Sequence, residues 1–445
     1  MRKRGAMALI LLPLAIMVLG ACSQNNSSAD DNGAQTPDSP TPMDKKEPVE
    51  LVFYYPSAND WTADTFMDTF GEPIKKKFPH ITPVFMQYGK GASLPELLAA
   101  GQRIDIYFGS PGATRTLEDY RIQYDIMPLI QKYKYDLNRL NPGLVSVARA
   151  LAHSGMNSLP IYVPPSAIYY NKDIFDKFGV AYPKDDMTWD DLYEISKKLT
   201  RTDSGMHYLG LTAPVGTLNP LNSLSLPLVD PASEKANFQT DPWKSFITNI
   251  SRNFLLPGYD NDLKALDVGL QRNFFFKEQR AAMWIALTNL HKQPEITNAL
   301  SWDIAAIPTF KEAHGVGPQA YPTLFSITTL TPHADEAFQA IAYLTSDEFQ
   351  MQQSRAGTML PVLQNPAFLQ AFSQDSPLYK GKNVKALVPA KYADSISFTA
   401  YNGYGTTGLL NAMIDYVLKQ KDINSALREA TEFTNQSIQT AKSGK

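Results

Sequence analysis

The residues equipped for chemistry are few in this sequence and stand far apart. Cys22 is the only cysteine among 445 residues, so no disulfide forms within the chain, and one thiolate falls short of the set a structural zinc ion needs. The six histidines, at positions 80, 153, 207, 291, 314 and 333, include no pair one helical turn apart, the spacing that brings two imidazoles to one metal. No metal and no cofactor is expected. The nucleophile elbow G-x-S-x-G and the phosphate loop G-x-x-x-x-G-K-[ST] are both absent from the sequence. "GKGASL" (Gly89–Leu94) has a strand before it and a helix after it, as a dinucleotide loop does, but carries Leu94 where a third glycine lets the helix pack closely. "GVGPQA" (Gly315–Ala320) precedes a strand instead of following one. The acidic pairs Asp185/Asp186 and Asp190/Asp191 fall in a turn and at a helix start, where capping accounts for them. Two carboxylates assembled only by folding, as in a glycoside hydrolase, would leave no spacing to read, and that alternative stays open at this level.

The position of the lone thiol is more informative than its chemistry. A basic head, Arg2–Arg4, leads into the apolar run "MALILLPLAIMVLGA", which ends on the small residues Gly20 and Ala21 directly before Cys22. That run is interrupted by Pro13 and is shorter than the roughly 20 residues that span a bilayer, so a cleaved export signal is expected over residues 1–21. "LGAC" resembles the bacterial lipobox, in which the cysteine is lipidated and becomes the mature N-terminus. The resemblance implies a lipid on Cys22 and a protein held at the extracytoplasmic face of the cell membrane. Residues 22–48 are Ser, Asn, Asp, Pro, Thr and Gly with little to bury, the composition of a disordered tether. Loss of residues 1–21 removes three basic residues and no acidic one, moving the formal charge from −3 to −6. A nucleic-acid partner, which selects basic patches, is thereby disfavoured.

The elements that must position any site follow the tether. "VELVFYYP" reads as a buried strand; Phe66, Phe70, Ile74 and Phe78 then mark one face of a helix ending in the solvated run Lys75–Lys77. A strand "ITPVFMQY", a helix "SLPELLAAG" with Ser93 and Glu96 placed for a capping box and Gly101 at its stop, and a strand "DIYFGS" come next. This βαβαβ order predicts a parallel sheet with ligands beyond the carboxyl ends of its strands, at Pro56–Trp61, Gly89–Ser93 and Gly109–Thr114. A second region opens at "LPIYVPPSAIYYN", where Pro164 and Pro165 suit a crossing between lobes. Gly179 ends one short helix there, and Thr188 with Asp191 caps another with a Leu192, Ile195, Leu199 stripe. "AAMWIAL", "SWDIAAIP" and "AYPTLFSITTL" are strand candidates, and "HADEAFQAIAYLTSDEFQMQQ" reads as one helix with Phe338, Ile341 and Leu344 inward. With some 400 residues after the tether, two domains are expected.

"AIYYNKDIFDKFGVAYPKDDMTWDDLYEISKKLT" (Ala167–Thr200) resembles the signature segment of the extracellular solute-binding proteins of ABC importers, the group that includes maltodextrin binders. "LLAAGQRIDIYFGS", "AAMWIAL", "WDIAAIPTF", "DEAFQAIAYLTSDEFQ" with "LPV" after it, and "INSALREATEFTNQSI" are similar in order and spacing. The resemblance implies an α/β, periplasmic-binding-protein-like fold of two lobes joined by a hinge, with the ligand cleft between them and closure on binding. On this pattern residues 49–163 form mainly the first lobe, 164–310 mainly the second, and 311–445 a return segment contributing to both. It also implies a monomeric binding protein with no catalytic role, partnered by permease subunits, their ATPase and a small solute. Lipid on Cys22 would keep such a receptor beside its permease.

Sugar binders of this family stack pyranoses on aromatic rings and hydrogen-bond hydroxyls with polar side chains. The matching candidates are Asn59, Asp60 and Trp61 after the first strand, Ser110 after the third, Ser166 in the crossing, Trp284 with Thr288 and Asn289, and Tyr401 and Tyr404 in the loop-like "AYNGYGTT". Trp61 and Trp284 have core burial as an equal alternative. Pro164 stands where the maltodextrin binders place a sugar-binding glutamate, and Thr288 and Asn289 where they place an aromatic. The expectation is therefore capture of an oligosaccharide other than maltodextrin. A tethered sensor without transport, or a binder of a non-sugar solute on the same fold, is the alternative.

Overall fold

Strands and helices are interspersed along the chain, with twelve strands among the described residues. The computed structural model describes residues 47–58, 61–152, 154–213, 221–259, 268–287, 300–397 and 399–443. The first strands are β1 (Val49–Tyr55), β2 (Ile81–Gln87), β3 (Ile106–Gly109) and β4 (Ser158–Tyr162). Then come β5 (Ser166–Asn171), β6 (Arg201–Asp203), β7 (Met206–Tyr208), β8 (Met283–Leu287) and β9 (Trp302–Ala305). The last are β10 (Gly317–Gln319), β11 (Thr323–Ile327) and β12 (Tyr392–Ala393). A five-stranded sheet has the order β2-β1-β3-β11-β4, and a three-stranded sheet the order β8-β5-β9. The pairs β10-β12 and β6-β7 stand apart from these.

The five-stranded sheet contains the parallel arrangement predicted from the βαβαβ order and extends it with a strand of the other direction. β1 runs parallel to β2 and to β3, as expected. β11 then inserts antiparallel between β3 and β4, with Phe325 opposite Phe108 and Leu159. Its residues Thr323–Ile327 are all buried, and a short apolar strand covered on both faces carries no mark of its direction. The three-stranded sheet is antiparallel throughout, with Tyr169 opposite Trp284 on one side and Ile304 on the other. Only Val163–Pro165 separate β4 of the first sheet from β5 of the second, and residues 306–322 lead from β9 back to β11.

Local signals in the sequence operate as read. The Thr188 side chain accepts from Asp191 N and the Asp191 carboxylate accepts from Thr188 N, a capping box at the start of helix Trp189–Leu199. Gly179 closes helix Lys172–Phe178 with φ of 61°, a left-handed cap that glycine adopts without Cβ strain. One helix prediction fails at its centre. The span expected to be continuous from about His333 forms two helices, Ala334–Tyr343 and Asp347–Ala356, because Ser346 stops the first and caps the second through Phe349 N. The span Ala63–Lys77 is helical as expected, with a π-helical stretch at Met67–Gly71.

An aromatic core holds the five-stranded sheet to its helices. Phe108 of β3 and Phe325 of β11 stack with ring centroids 4.6 Å apart, Phe66 packs on Phe85 at 4.8 Å, and Phe53 on Phe66 at 5.2 Å. Aromatic pairs in this range add about 0.5–1.5 kcal/mol each beyond the burial of their area. At the amino-terminal end of β3 the fully buried Asp105 carboxylate accepts from Val52 N at 2.7 Å, Arg103 Nε at 3.1 Å and Thr331 Oγ1 at 2.5 Å. It ties β1, β3 and the turn after β11 together. Four acceptor positions on one carboxylate explain why an acid, and not an amide, suits that corner.

Candidate functional site

The helix that follows β3, Pro111–Asp119, presents a stripe of Gly112, Arg115, Thr116 and Asp119 at helical spacing. Its other face buries Pro111, Thr114 and Leu117. Ser110 starts the helix as its N-cap, accepting from Ala113 N at 3.4 Å, and its hydroxyl also hydrogen-bonds the Tyr321 phenol. The striped face lines a cavity of about 240 Å³. The opposite wall is Leu228, the segment Gln319–Tyr321 and residues from Ser395 to Thr406. These parts come from four distant stretches of sequence, and the cavity lies at the carboxyl end of β3, where an open α/β sheet places its ligands.

Electrostatics in the cavity are polar and nearly balanced. Arg115 pairs with Glu118, and Asp119 stands exposed one turn from it. Burial holds the Arg115 guanidinium below its ordinary range, opposed by the nearby Asp119 charge. Arg115 Nε is buried without a hydrogen-bond partner among the described residues. Burial likewise pushes the Tyr321 phenol up, with the Ser110 hydrogen bond acting in the other direction. Across the cavity Asn402 is held in its own turn: Oδ1 accepts from Thr399 Oγ1 at 2.7 Å and one Nδ2 hydrogen is donated to Ser397 O at 3.1 Å. That clamp fixes the first turn of helix Asn402–Val417, whose Asn402, Gly403 and Thr406 face the cavity.

The structure sorts the predicted site residues. Ser110 stands at the cavity's edge through its bond to Tyr321. Tyr401 and Tyr404 do not line it; they sit in a helix start and not in the expected loop, and the neighbours on the other face of that turn take the cavity wall. Tyr404 is exposed and Tyr401 lies under the Lys442 ammonium, 5.5 Å from the ring centre. Trp61, 4% exposed, packs against Phe70 at 4.9 Å and, edge-on, against Tyr162 and Phe108. Trp284, 2% exposed, packs against Tyr169 at 5.6 Å and Phe276 at 5.5 Å. Both indoles thus occupy core positions, the alternative the sequence left open for them, because their ring area is worth more against other rings than in water. Ser166 opens β5 opposite Leu287, and its buried hydroxyl has no partner among the described residues. Asn59, Asp60, Thr288, Asn289 and Cys22 lie outside the described residues.

The sequence reading named the strand end Gly109–Thr114, which contains Gly112, but not Arg115, Asp119 or Gly403. Arg115 and Asp119 were legible with Gly112 as the polar side of "GATRTLED", a period of three and four that aromatic-centred reasoning passed over. A second, wider hollow of about 520 Å³ lies elsewhere, between the start of helix Trp189–Leu199, helix Asp241–Ser251 and residues 310–312. There Asp190 bridges Arg252 at 2.6 Å and Lys311 at 2.5 Å, and hydrogen bonds from Lys311, then Arg252, hold its carboxyl below the usual range. It is an open surface with that ion-paired group on one wall and Asp241, Lys244 and Glu312 among its other lining residues. Among the described residues no group of three metal-ligating side chains occurs, and no helix is long and apolar enough to cross a membrane.

Comparison with known proteins agrees with this architecture. The ABC substrate-binding protein of Listeria monocytogenes solved in complex with cycloalternan is similar over 88% of this chain and 99% of its own, with a TM-score of 0.72 and 16% identity. The sugar-binding protein MalE of Xanthomonas citri is similar over 88% and 98%, with a TM-score of 0.68 and 15% identity. An ABC transporter solute-binding protein of Agrobacterium vitis with bound D-mannitol matches over 88% and 99%, at 0.64 and 17%. Likeness at these identities concerns the fold, which is of the periplasmic-binding-protein type. The profile of the family described as bacterial extracellular solute-binding protein matches residues 60–351, and with that match over more than half of its length the chain belongs to the family: it is an extracellular solute-binding protein and not an enzyme.

Proposed function

We propose that this protein captures a carbohydrate outside the cell and delivers it to the permease of an ABC importer, tethered meanwhile to the membrane by a lipid on Cys22. The observation that carries the carbohydrate reading is the enclosed cavity beside helix Pro111–Asp119, lined by a guanidinium, a carboxylate, side-chain amides and hydroxyls, the donors and acceptors that sugar hydroxyls require. Similar proteins solved with cycloalternan, maltotetraose, D-mannitol, ribitol and tagatose support it by fold. The lobes are read as 49–163, 164–310 and a shared return segment 311–445; membership of β1–β4 in one sheet and of β5, β8 and β9 in the other supports that division, with Val163–Pro165 as the first crossing.

The test is thermal unfolding of the full chain against a panel of oligosaccharides, sugars and polyols, with amino acids as the contrasting class. Binding at 100 times Kd raises the stability by about 2.7 kcal/mol, which a melting curve resolves. Stabilisation by at least one carbohydrate and none of the amino acids is expected; the reverse pattern would replace the carbohydrate reading with that of a non-sugar solute. For the anchor, Cys22→Ser should release the protein from the membrane fraction, and equal retention of both forms would sink it.

A further inference from the structure

The cavity wall carries two glycines, Gly112 and Gly403. They occupy the second position of helices Pro111–Asp119 and Asn402–Val417, and both line the cavity. A Cβ built on either meets no atom within 4 Å, so the space before both is open. Neither has a positive φ, so backbone strain does not call for glycine at these places. By contrast, Gly405 and Gly408 of the same helix are needed for packing: a Cβ would lie 3.1 Å from Leu228 and 2.5 Å from Thr434 Oγ1. Within one helix, then, two glycines seat the fold and one leaves a hollow.

Charge in the hollow is equally specific. Arg115 is its only cationic lining residue among those described, and Glu118 and Asp119 already offset it on the same helix. An incoming anion would shed water against a wall with no spare positive charge, a cost that pairing would not return. An uncharged ligand rich in hydroxyls meets a guanidinium donor and a carboxylate acceptor instead.

We infer that the cavity is a selective subsite for one uncharged polyhydroxy unit, its size set by Gly112 and Gly403 and its refusal of sugar acids by the Arg115, Glu118 and Asp119 cluster. This rests on the reading above that the cavity holds the solute. Its volume of about 240 Å³ lies below the roughly 300 Å³ at which drug-sized pockets begin, a size suited to one sugar or polyol unit.

Calorimetry on the full chain with D-glucose, D-mannitol and maltotetraose, set beside D-glucuronate and D-mannonate, tests the inference. At least one neutral probe binds, and acid probes bind at least about tenfold more weakly, a difference of about 1.4 kcal/mol. Gly112→Leu and Gly403→Leu weaken the neutral probe at least about tenfold with unchanged melting of the empty protein; Gly403→Ala, a smaller filling, serves if a leucine variant does not fold. Asp119→Asn narrows the gap between neutral and acid probes. Equal or tighter binding of the acids overturns the charge selection while leaving carbohydrate capture standing. Unaltered affinity in all glycine variants removes the cavity as the subsite. Failure of every probe on the unaltered protein overturns the carbohydrate reading and this inference with it.

Discussion

The segment around Trp61 and the helix Pro111–Asp119 both lie beyond carboxyl ends of strands in the five-stranded sheet, yet they use their residues in opposite ways. Beyond β1, the chain turns Trp61 inward onto Phe70, Phe108 and Tyr162. Beyond β3, it turns Arg115, Thr116 and Asp119 toward a cavity and keeps its apolar side for the sheet. In this molecule the aromatic rings pack the sheet against its helices, and small and polar residues face the cavity. Aromatic content is thus a guide to where this protein is packed, and the helical polar stripe to where it leaves a lined cavity.

The largest expected effect separates the two kinds of aromatic residue. Trp61→Ala should lower the stability of the empty protein by about 3–5 kcal/mol, read by denaturant unfolding, whereas exposed Tyr404→Ala should stay within about 0.5 kcal/mol. Comparable small losses for both would return Trp61 to the list of solvent-facing candidates. A middle effect comes from the packing glycine: Gly408→Ala forces a methyl against Thr434 Oγ1 and Ala430 O in helix Ile423–Ser443 and should cost about 1–3 kcal/mol. A stability gain there, as helix propensity alone predicts, would show that the two helices part easily.

The smallest effect tests the ion-paired hollow. Asp190 has a folded-state pKa below its ordinary value, so it contributes stability above the unfolded pKa of about 3.9 and loses it as pH falls through the folded value. Its side chain is 38% exposed, so screening keeps the contribution under about 1 kcal/mol. Asp190→Asn should therefore lower the neutral-pH stability by less than about 1 kcal/mol, at most about a degree or two of melting, and the difference from the unaltered protein should shrink as pH falls below about 4. A loss of several degrees at pH 7 would mean that the pair is structural, not merely superficial.

Much of this architecture was legible because its signals are local. The capping box of Thr188 and Asp191, the left-handed stop at Gly179 and the buried runs of β1 and β3 each depend on residues within a few positions of one another. The antiparallel insertion of β11 was not legible, since its partners β3 and β4 lie far away in sequence and its residues read alike in either direction. The break at Ser346 could have been read from "SDE", a helix-start signal inside a continuous apolar period. The cavity was half legible: the wall from helix Pro111–Asp119 has a period, but Leu228, Gln319 and Asn402 meet it only through the tertiary fold. Tyr401 and Tyr404 lie in the stretch that supplies one cavity wall, at positions that do not line it.

Hydrogen exchange with and without a saturating bound carbohydrate tests most directly where this protein captures its solute. Slowed exchange should appear in the first turns of helices Pro111–Asp119 and Asn402–Val417 and in residues 319–321, the walls of the enclosed cavity. Protection confined to the open hollow around Asp190, Arg252 and Lys311, with the two helix starts unchanged, would contradict it.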